Sequence, residues 1–79
     1  MGYARPRPKY LAEKLSLIRR RLKLNQPELA KLLGVRKYND ISKYERNVNE
    51  PPLAVLLAYS RAAKIPVENI IDDDLDLFD

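Results

Sequence analysis

Two helix-boundary signals lie close together near the middle of the chain. Asn25 precedes Glu28 by three residues, the spacing at which a side chain and a backbone cap each other reciprocally at a helix N-terminus. Pro27 fits the first turn, where its missing N–H forfeits no hydrogen bond. Gly34 suits the left-handed residue that ends a helix. The chain must therefore form a very short helix here, which is stable only when packed against other elements.

Apolar residues on both sides of this segment recur at helical spacing and predict four further helices. We expect the first helix to end near Leu24, the third to lie within residues 35–47, and the fourth to follow the proline pair 51–52. No segment alternates with the period of a strand, so an all-α bundle is predicted. The apolar positions are Leu11, Leu15, Ile18 and Leu22; Leu29, Ala30, Leu32 and Leu33; Val35 and Ile41, with Tyr44 or Glu45; Leu53, Leu56 and Leu57; and Val67, Ile70 and Ile71.

The composition argues against catalysis, against metal binding and against a membrane span. A chain of 79 residues with no Cys, no His and only two Gly lacks the commonest general base, the commonest thiol nucleophile, the usual transition-metal ligands and a glycine-rich phosphate loop. The acidic run 72–76 lacks the turn glycine and the bidentate Glu of a calcium loop. No apolar run approaches the length of a bilayer span. We expect no enzyme, no cofactor, no metal and a cytoplasmic location.

Charge is distributed unevenly along the chain. Residues 1–64 contain all 15 Lys and Arg residues and five acids, whereas residues 65–79 contain the other six acids and no base. A basic body attracts polyanions, and nucleic acid is the first candidate, although a solvated surface is the plainer alternative. We divide the chain into a flexible basic arm (1–8), a DNA-binding domain (9–71) and an acidic tail (72–79).

The segment 25–47 has the requirements of a helix-turn-helix, in which a small residue must sit where two helices cross. Ala30 meets that need, and Gly34 permits the turn. The stretches LNQPELAKLLGV, ISKYER and EPPLAVLLAYSRAAKIPVENII, spanning residues 24–71, resemble the phage-repressor, Cro and xenobiotic-response-element (XRE) class of bacterial regulators. That resemblance implies a five-helix lambda-repressor-like bundle that binds operator DNA as a homodimer, in a bacterial or phage, nucleoid-associated setting.

Residue by residue, the resemblance implies roles for individual side chains. Arg19 and Glu45 match a structural ion pair beneath the recognition helix. Gln26 matches a residue that bonds a backbone phosphate, with plain solvation as its alternative. Four residues match base-reading positions: Tyr38, Asn39, Ser42 and Lys43. Packing against the domain is the alternative for Tyr38, and a solvated charge is the alternative for Lys43. Lys37 matches a phosphate or base contact, and Arg46 and Asn47 match contacts to the sugar-phosphate backbone. The implied DNA-binding residues are Gln26, Arg36, Lys37, Tyr38, Asn39, Ser42, Lys43, Arg46 and Asn47.

Three features depart from the family pattern. One extra residue lies between Val35 and Ile41, so the turn or the start of the recognition helix must differ. Asn47 replaces a glycine, which is tolerable because Asn is the residue after Gly that best accepts a left-handed conformation. Asp40 places a negative charge near the presumed DNA surface, where it can cap the helix, accept from cytosine N4 or tune specificity.

Two functions from different classes are compatible with these features. The first is sequence-specific binding of double-stranded DNA by a transcriptional regulator, most readily a repressor, with the third helix in the major groove. The alternative is a protein-interaction module, antitoxin-like or a regulatory partner, that uses the acidic tail with Leu75, Leu77 and Phe78. Leu75, Leu77 and Phe78 can instead cover the body of the domain. The arm residues Arg5, Arg7 and Lys9 can follow the DNA backbone or enter a minor groove, or play no part.

Overall fold

The computed structural model describes residues 7–78, and within them it contains five helices and no strand. The all-α prediction is confirmed. Residues 1–6 of the predicted arm, which include Arg5, lie outside the described residues. Asp79 of the predicted tail does so as well. The helices are α1 (Leu11–Arg21), α2 (Gln26–Leu33), α3 (Tyr38–Glu45), α4 (Leu53–Ala63) and α5 (Val67–Ile71).

The first helix buries the apolar face that its spacing predicts, with Leu15 and Ile18 fully inaccessible to solvent. It ends at Arg21 instead of near Leu24. The backbone of Lys23 adopts φ 59°, a left-handed conformation that stops the helix. A lysine gives no sign of this conformation in the sequence, which explains why the predicted end was three residues too late.

Both predicted boundaries of α2 are confirmed. The Asn25 side chain accepts from the backbone N–H of Glu28 at 2.8 Å, and the Glu28 carboxylate accepts from the backbone N–H of Asn25 at 2.8 Å. At the other end Gly34 has φ 75°. The N–H of Val35 then donates to the carbonyl of Ala30 at 2.8 Å, which turns the chain sharply toward α3.

The recognition-helix candidate α3 packs against α2 and α1 through Ile41 and Tyr44, which are both buried. Its start absorbs the extra residue, because residues 34–37 form the turn and the helix begins at Tyr38. Lys37 occupies the capping position without a side-chain hydrogen bond. Asp40 lies in the first helical turn, so it does not act as the N-cap that was one of its three predicted roles.

One core joins all five helices. The largest fully buried side chain of this core is Tyr59, whose hydroxyl has no hydrogen-bond partner among the described residues. Burial raises the pKa of Tyr59, so its hydroxyl stays protonated. None of the described helices is long and apolar enough to span a bilayer. The buried cluster consists of Leu11, Leu15, Ile18, Leu29, Ala30, Ile41, Tyr44, Leu56, Tyr59, Ile65, Ile70 and Leu77.

The acidic segment 72–78 packs against the helical body. The carboxylate of Asp73 accepts from the backbone N–H groups of Lys9 and Tyr10, at 2.8 and 3.0 Å. Lys14 is only 7% exposed, and its ammonium group donates to the carbonyls of Asn69, Asp72 and Leu75 at 2.8–2.9 Å. Because Leu77 is buried as well, this segment covers the body, which is one of the two uses predicted for its apolar residues.

Candidate nucleic-acid interface

The outward face of α3 is defined by what its inward face buries. Ile41 and Tyr44 point into the core, and burial together with the charge of Asp40 raises the pKa of Tyr44. At about 100° per residue, the positions opposite to them follow one another at spacings of three and four. That face carries Asn39, Ser42, Lys43 and, just past the last helical residue, Arg46.

None of the side chains predicted to bind DNA is buried. Gln26, Ser42 and Lys43 are partly exposed. Tyr38 lies at the side of α3 and is 53% exposed, so the structure gives little support to the alternative in which it packs against the domain. The exposed members of the predicted set are Arg36, Lys37, Tyr38, Asn39, Arg46 and Asn47.

A largely buried ion pair fixes α3 against α1. Arg19 Nε lies 2.7 Å from Glu45 Oε2 and Arg19 Nη2 lies 3.0 Å from Glu45 Oε1, a two-point contact. The Glu45 side chain is 8% exposed and that of Arg19 is 20% exposed. The hydrogen bond with Glu45 raises the pKa of Arg19. The predicted structural pair is therefore confirmed, and its paired charges hold the C-terminal end of α3 in place.

The ion pair also reaches the N-terminus of α2. Gln26 Nε2 donates to Glu45 Oε1 at 3.4 Å, which places Gln26 between the start of α2 and the end of α3. An amide nitrogen carries two hydrogens, so one donor remains for another acceptor. The side chain can thus connect the buried pair with an anion at the helix terminus, where backbone N–H groups and the helix dipole favour negative charge.

Two arginines donate hydrogen bonds to polar residues of this surface. Arg46 Nε donates to Ser42 Oγ at 3.1 Å, one turn back along α3. Arg7 Nη1 donates to both the backbone carbonyl and Oδ1 of Asn47, at 2.8 and 3.1 Å, and Arg7 Nε lies 3.9 Å from Glu50. Asn47 has φ 62°, so it takes the left-handed conformation expected where the family has glycine.

Arg7 is the residue of this surface that sequence reasoning assigned only loosely. It lies 40 positions from Asn47 in the chain, and no local pattern could pair the two. The only available signal was its charge within a basic segment. The structure places it against the loop after α3, where it contacts Asn47, one of the residues predicted to bind DNA.

The charges of the turn and of α3 are predominantly positive. The acids of α3 are Asp40 and Glu45, and Glu45 is matched by Arg19. Asp40 is partly exposed beside the cationic face. The cations of this region are Arg36, Lys37, Lys43 and Arg46. Such a ridge, with amide and hydroxyl groups between the charges, can bind phosphates and base edges.

Among solved structures, the chain is similar to the P22 c2 repressor. A crystal structure of that protein in complex with a synthetic operator has 33% sequence identity and a TM-score of 0.73, and the match covers 81% of this chain and 96% of that one. The solution structure of its DNA-binding domain has 30% identity and a TM-score of 0.74, with 94% and 96% covered. No protein-family model matches the chain, and no curated protein does either.

Proposed function

Because the chain belongs to the family of helix-turn-helix DNA-binding domains that includes that of the P22 c2 repressor, we propose that it is a sequence-specific, DNA-binding transcriptional repressor. The observation that carries the proposal is the exposed cationic face of α3, held outward by the buried Arg19–Glu45 pair. The wider Cro and XRE relationship is part of the same proposal.

In the proposed complex α3 lies in the major groove and reads base edges. Asn39 can bond adenine N6 and N7 together, and Lys43 can reach guanine O6 and N7. Tyr38 and Ser42 contribute at the flanks of these contacts. Each good bidentate pair discriminates against the wrong base by about 1–3 kcal/mol. Acceptance from a cytosine amino group in the same groove is the contact we propose for Asp40.

Contacts to the sugar-phosphate backbone set the register of α3 in the groove. The proposed phosphate ligands are Gln26 at the start of α2, Arg36 and Lys37 in the turn, and Arg46 with Asn47 after α3. A base contact is a second proposed role for Lys37. The phosphate contacts carry no sequence information themselves. They make binding depend steeply on salt, because each neutralised phosphate releases a condensed counterion.

Two copies of the domain bind as a homodimer in this proposal. A helix-turn-helix dimer places its recognition helices on half-sites roughly 34 Å apart along one face of the duplex. A repressor acts by occupying such a site. We therefore expect the selected sequence to be a near-palindrome whose halves are separated by about one helical turn.

Selection of binding sites from random duplex oligonucleotides, followed by affinity measurements at several salt concentrations, tests the proposal. We expect a defined motif and a steep loss of affinity with salt. Lys43→Ala is expected to relax preference at one base pair, whereas Gln26→Ala weakens all sequences alike. Arg61→Ala removes an exposed charge from α4 and serves as the matched control, with little effect on either quantity.

The proposal fails if selection returns no motif and if duplex affinity stays weak at low salt. It also fails if Arg61→Ala weakens binding as much as Lys43→Ala. In that case the cationic body would attract DNA without a specific α3 interface.

The acidic-tail alternative has weaker structural support. Leu77 is buried, and Asp73 is engaged by the start of α1. Leu75, at 41% exposed, is the apolar tail residue most available to a protein partner. Loss of a co-purifying partner in Leu75→Ser, with DNA binding unchanged, supports this second role. An unchanged partner profile excludes it.

A further inference from the structure

Ser42 is the hydroxyl residue on the outward face of α3, and Arg46 contacts it from the next turn. Within residues 7–78 the hydroxyl makes no other hydrogen bond than the one it accepts from Arg46 Nε, at 3.1 Å. Ser42 is partly exposed and Arg46 is exposed, so the pair lies at the surface proposed to meet DNA.

A serine hydroxyl has one hydrogen to donate and two lone pairs to accept with, and by itself it reads either kind of base edge. Arginine has only donors. Its contact with Ser42 therefore uses a lone pair and leaves the hydroxyl hydrogen free to point away. The nearby positive charge also strengthens the hydroxyl as a donor and opposes the approach of an amino group, whose hydrogens are positive.

We propose that Arg46 is a positioning residue for base recognition, which makes Ser42 a hydrogen-bond donor toward DNA. This inference rests on the proposed function and deepens it. The base contacted by Ser42 must then offer an acceptor in the major groove, such as guanine N7 and O6 or thymine O4. Cytosine, which presents its amino donor there, is disfavoured.

Arg46 thus affects sequence preference without touching a base. A residue that only binds phosphate changes the affinity for all sequences by one factor. The loss of Arg46 should in addition reduce the discrimination that Ser42 provides. The ratio of the affinities for two duplexes that differ at the base pair contacted by Ser42 therefore separates phosphate binding by Arg46 from its positioning of Ser42.

The experiment first locates the base pair whose preference is lost in Ser42→Ala, and then measures dissociation constants for duplexes that carry each of the four bases there. For the wild-type domain we expect guanine or thymine to be preferred over cytosine about three- to tenfold, the range of a single hydrogen bond. Arg46→Met should weaken binding to all four duplexes and reduce that preference toward the Ser42→Ala value. The double variant, Ser42→Ala with Arg46→Met, should show the same base preference as Ser42→Ala alone.

Arg36→Met is the matched control, because it removes an exposed cation of the turn that has no contact with Ser42 among the described residues. It should lower affinity and keep the wild-type base preference. Circular dichroism checks that each variant is folded, and Arg46→Gln provides a second substitution if Arg46→Met is not. Equal weakening of all four duplexes by a folded Arg46 variant overturns the proposal, and so does a wild-type preference for cytosine.

A measurement without DNA tests the contact itself. In the free domain, Ser42→Ala should shift the NMR resonance of the Arg46 Nε–H and speed its exchange with water. An unchanged resonance overturns the inference. Failure of the wild-type domain to bind any duplex overturns the proposed function together with the inference, whereas intact binding with an unchanged base ratio in the Arg46 variant overturns the inference alone.

Discussion

Glu45 connects the two helices of the proposed interface, α2 and α3, with α1 behind them. It accepts two hydrogen bonds from Arg19 of α1 and one from Gln26 of α2, and it belongs to α3 itself. Its removal leaves the Arg19 charge largely enclosed with the backbone carbonyl of Leu24 as a hydrogen-bond acceptor but without its ion-pair partner. For buried pairs this costs about 3–5 kcal/mol, and the partial exposure of Arg19 reduces the expectation to about 2–3 kcal/mol.

We therefore expect Glu45→Ala to lower the free energy of unfolding, measured by urea denaturation, by that amount. Glu13→Ala is the control, because it removes an exposed acid from α1. It should change stability by less than about 0.5 kcal/mol. A Glu45→Ala variant that is as stable as the control contradicts the role given to this pair.

Side chains differ in how far their roles could be predicted from sequence. The partners Asn25 and Glu28 are three residues apart, and their capping box follows from local spacing alone. Arg19 and Glu45 were paired only through the family resemblance. Lys14 showed no signal, because the carbonyls that bind it lie 55–61 positions away. Contacts between distant segments depend on how the elements assemble, which a periodicity does not encode.

At the scale of elements, the turn between α2 and α3 depends on Gly34. Its φ of 75° is left-handed, and a Cβ added there would meet nothing within 4 Å. Substitution by alanine therefore costs only backbone strain, about 1–2 kcal/mol. We expect thermal unfolding of Gly34→Ala to occur at a lower temperature than in wild type, with Gly34→Asn in between, because asparagine accepts this conformation more readily.

An equal stability of Gly34→Ala and wild type would mean that the turn can reorganise, and the fixed crossing of α2 and α3 would then be wrong. In the same turn, the sequence predicts one helix boundary but not the other. The glycine identified the end of α2, but the start of α3 at Tyr38 had no cap to mark it, since Lys37 makes no side-chain capping bond.

At the scale of the whole molecule, the C-terminal segment closes onto the start of α1. The backbone N–H groups of Tyr10 and Lys9 lower the pKa of Asp73. A carboxylate whose pKa is lower in the folded state stabilises the fold above its unfolded pKa, near 3.9, and loses that contribution as the pH falls through the folded value.

We expect Asp73→Ala to be less stable than wild type at neutral pH and the difference to shrink as the pH falls below about 4. Thermal unfolding followed across that range measures it. Asp74→Ala removes a neighbouring exposed carboxylate of equal charge and should show a smaller difference at neutral pH. A gap between wild type and Asp73→Ala that is the same at pH 3 and pH 7 contradicts the assignment.

The central claim is that one edge of the molecule, formed by the start of α2, α3 and the loop after it, meets duplex DNA. The most direct test follows backbone amide resonances during NMR titration with the selected duplex. We expect the largest shifts at Gln26, throughout residues 36–47 and at Arg7, with residues 53–63 of α4 and the acidic segment 72–78 little changed. Shifts concentrated on α4 or on the acidic segment, with α3 unaffected, contradict the account.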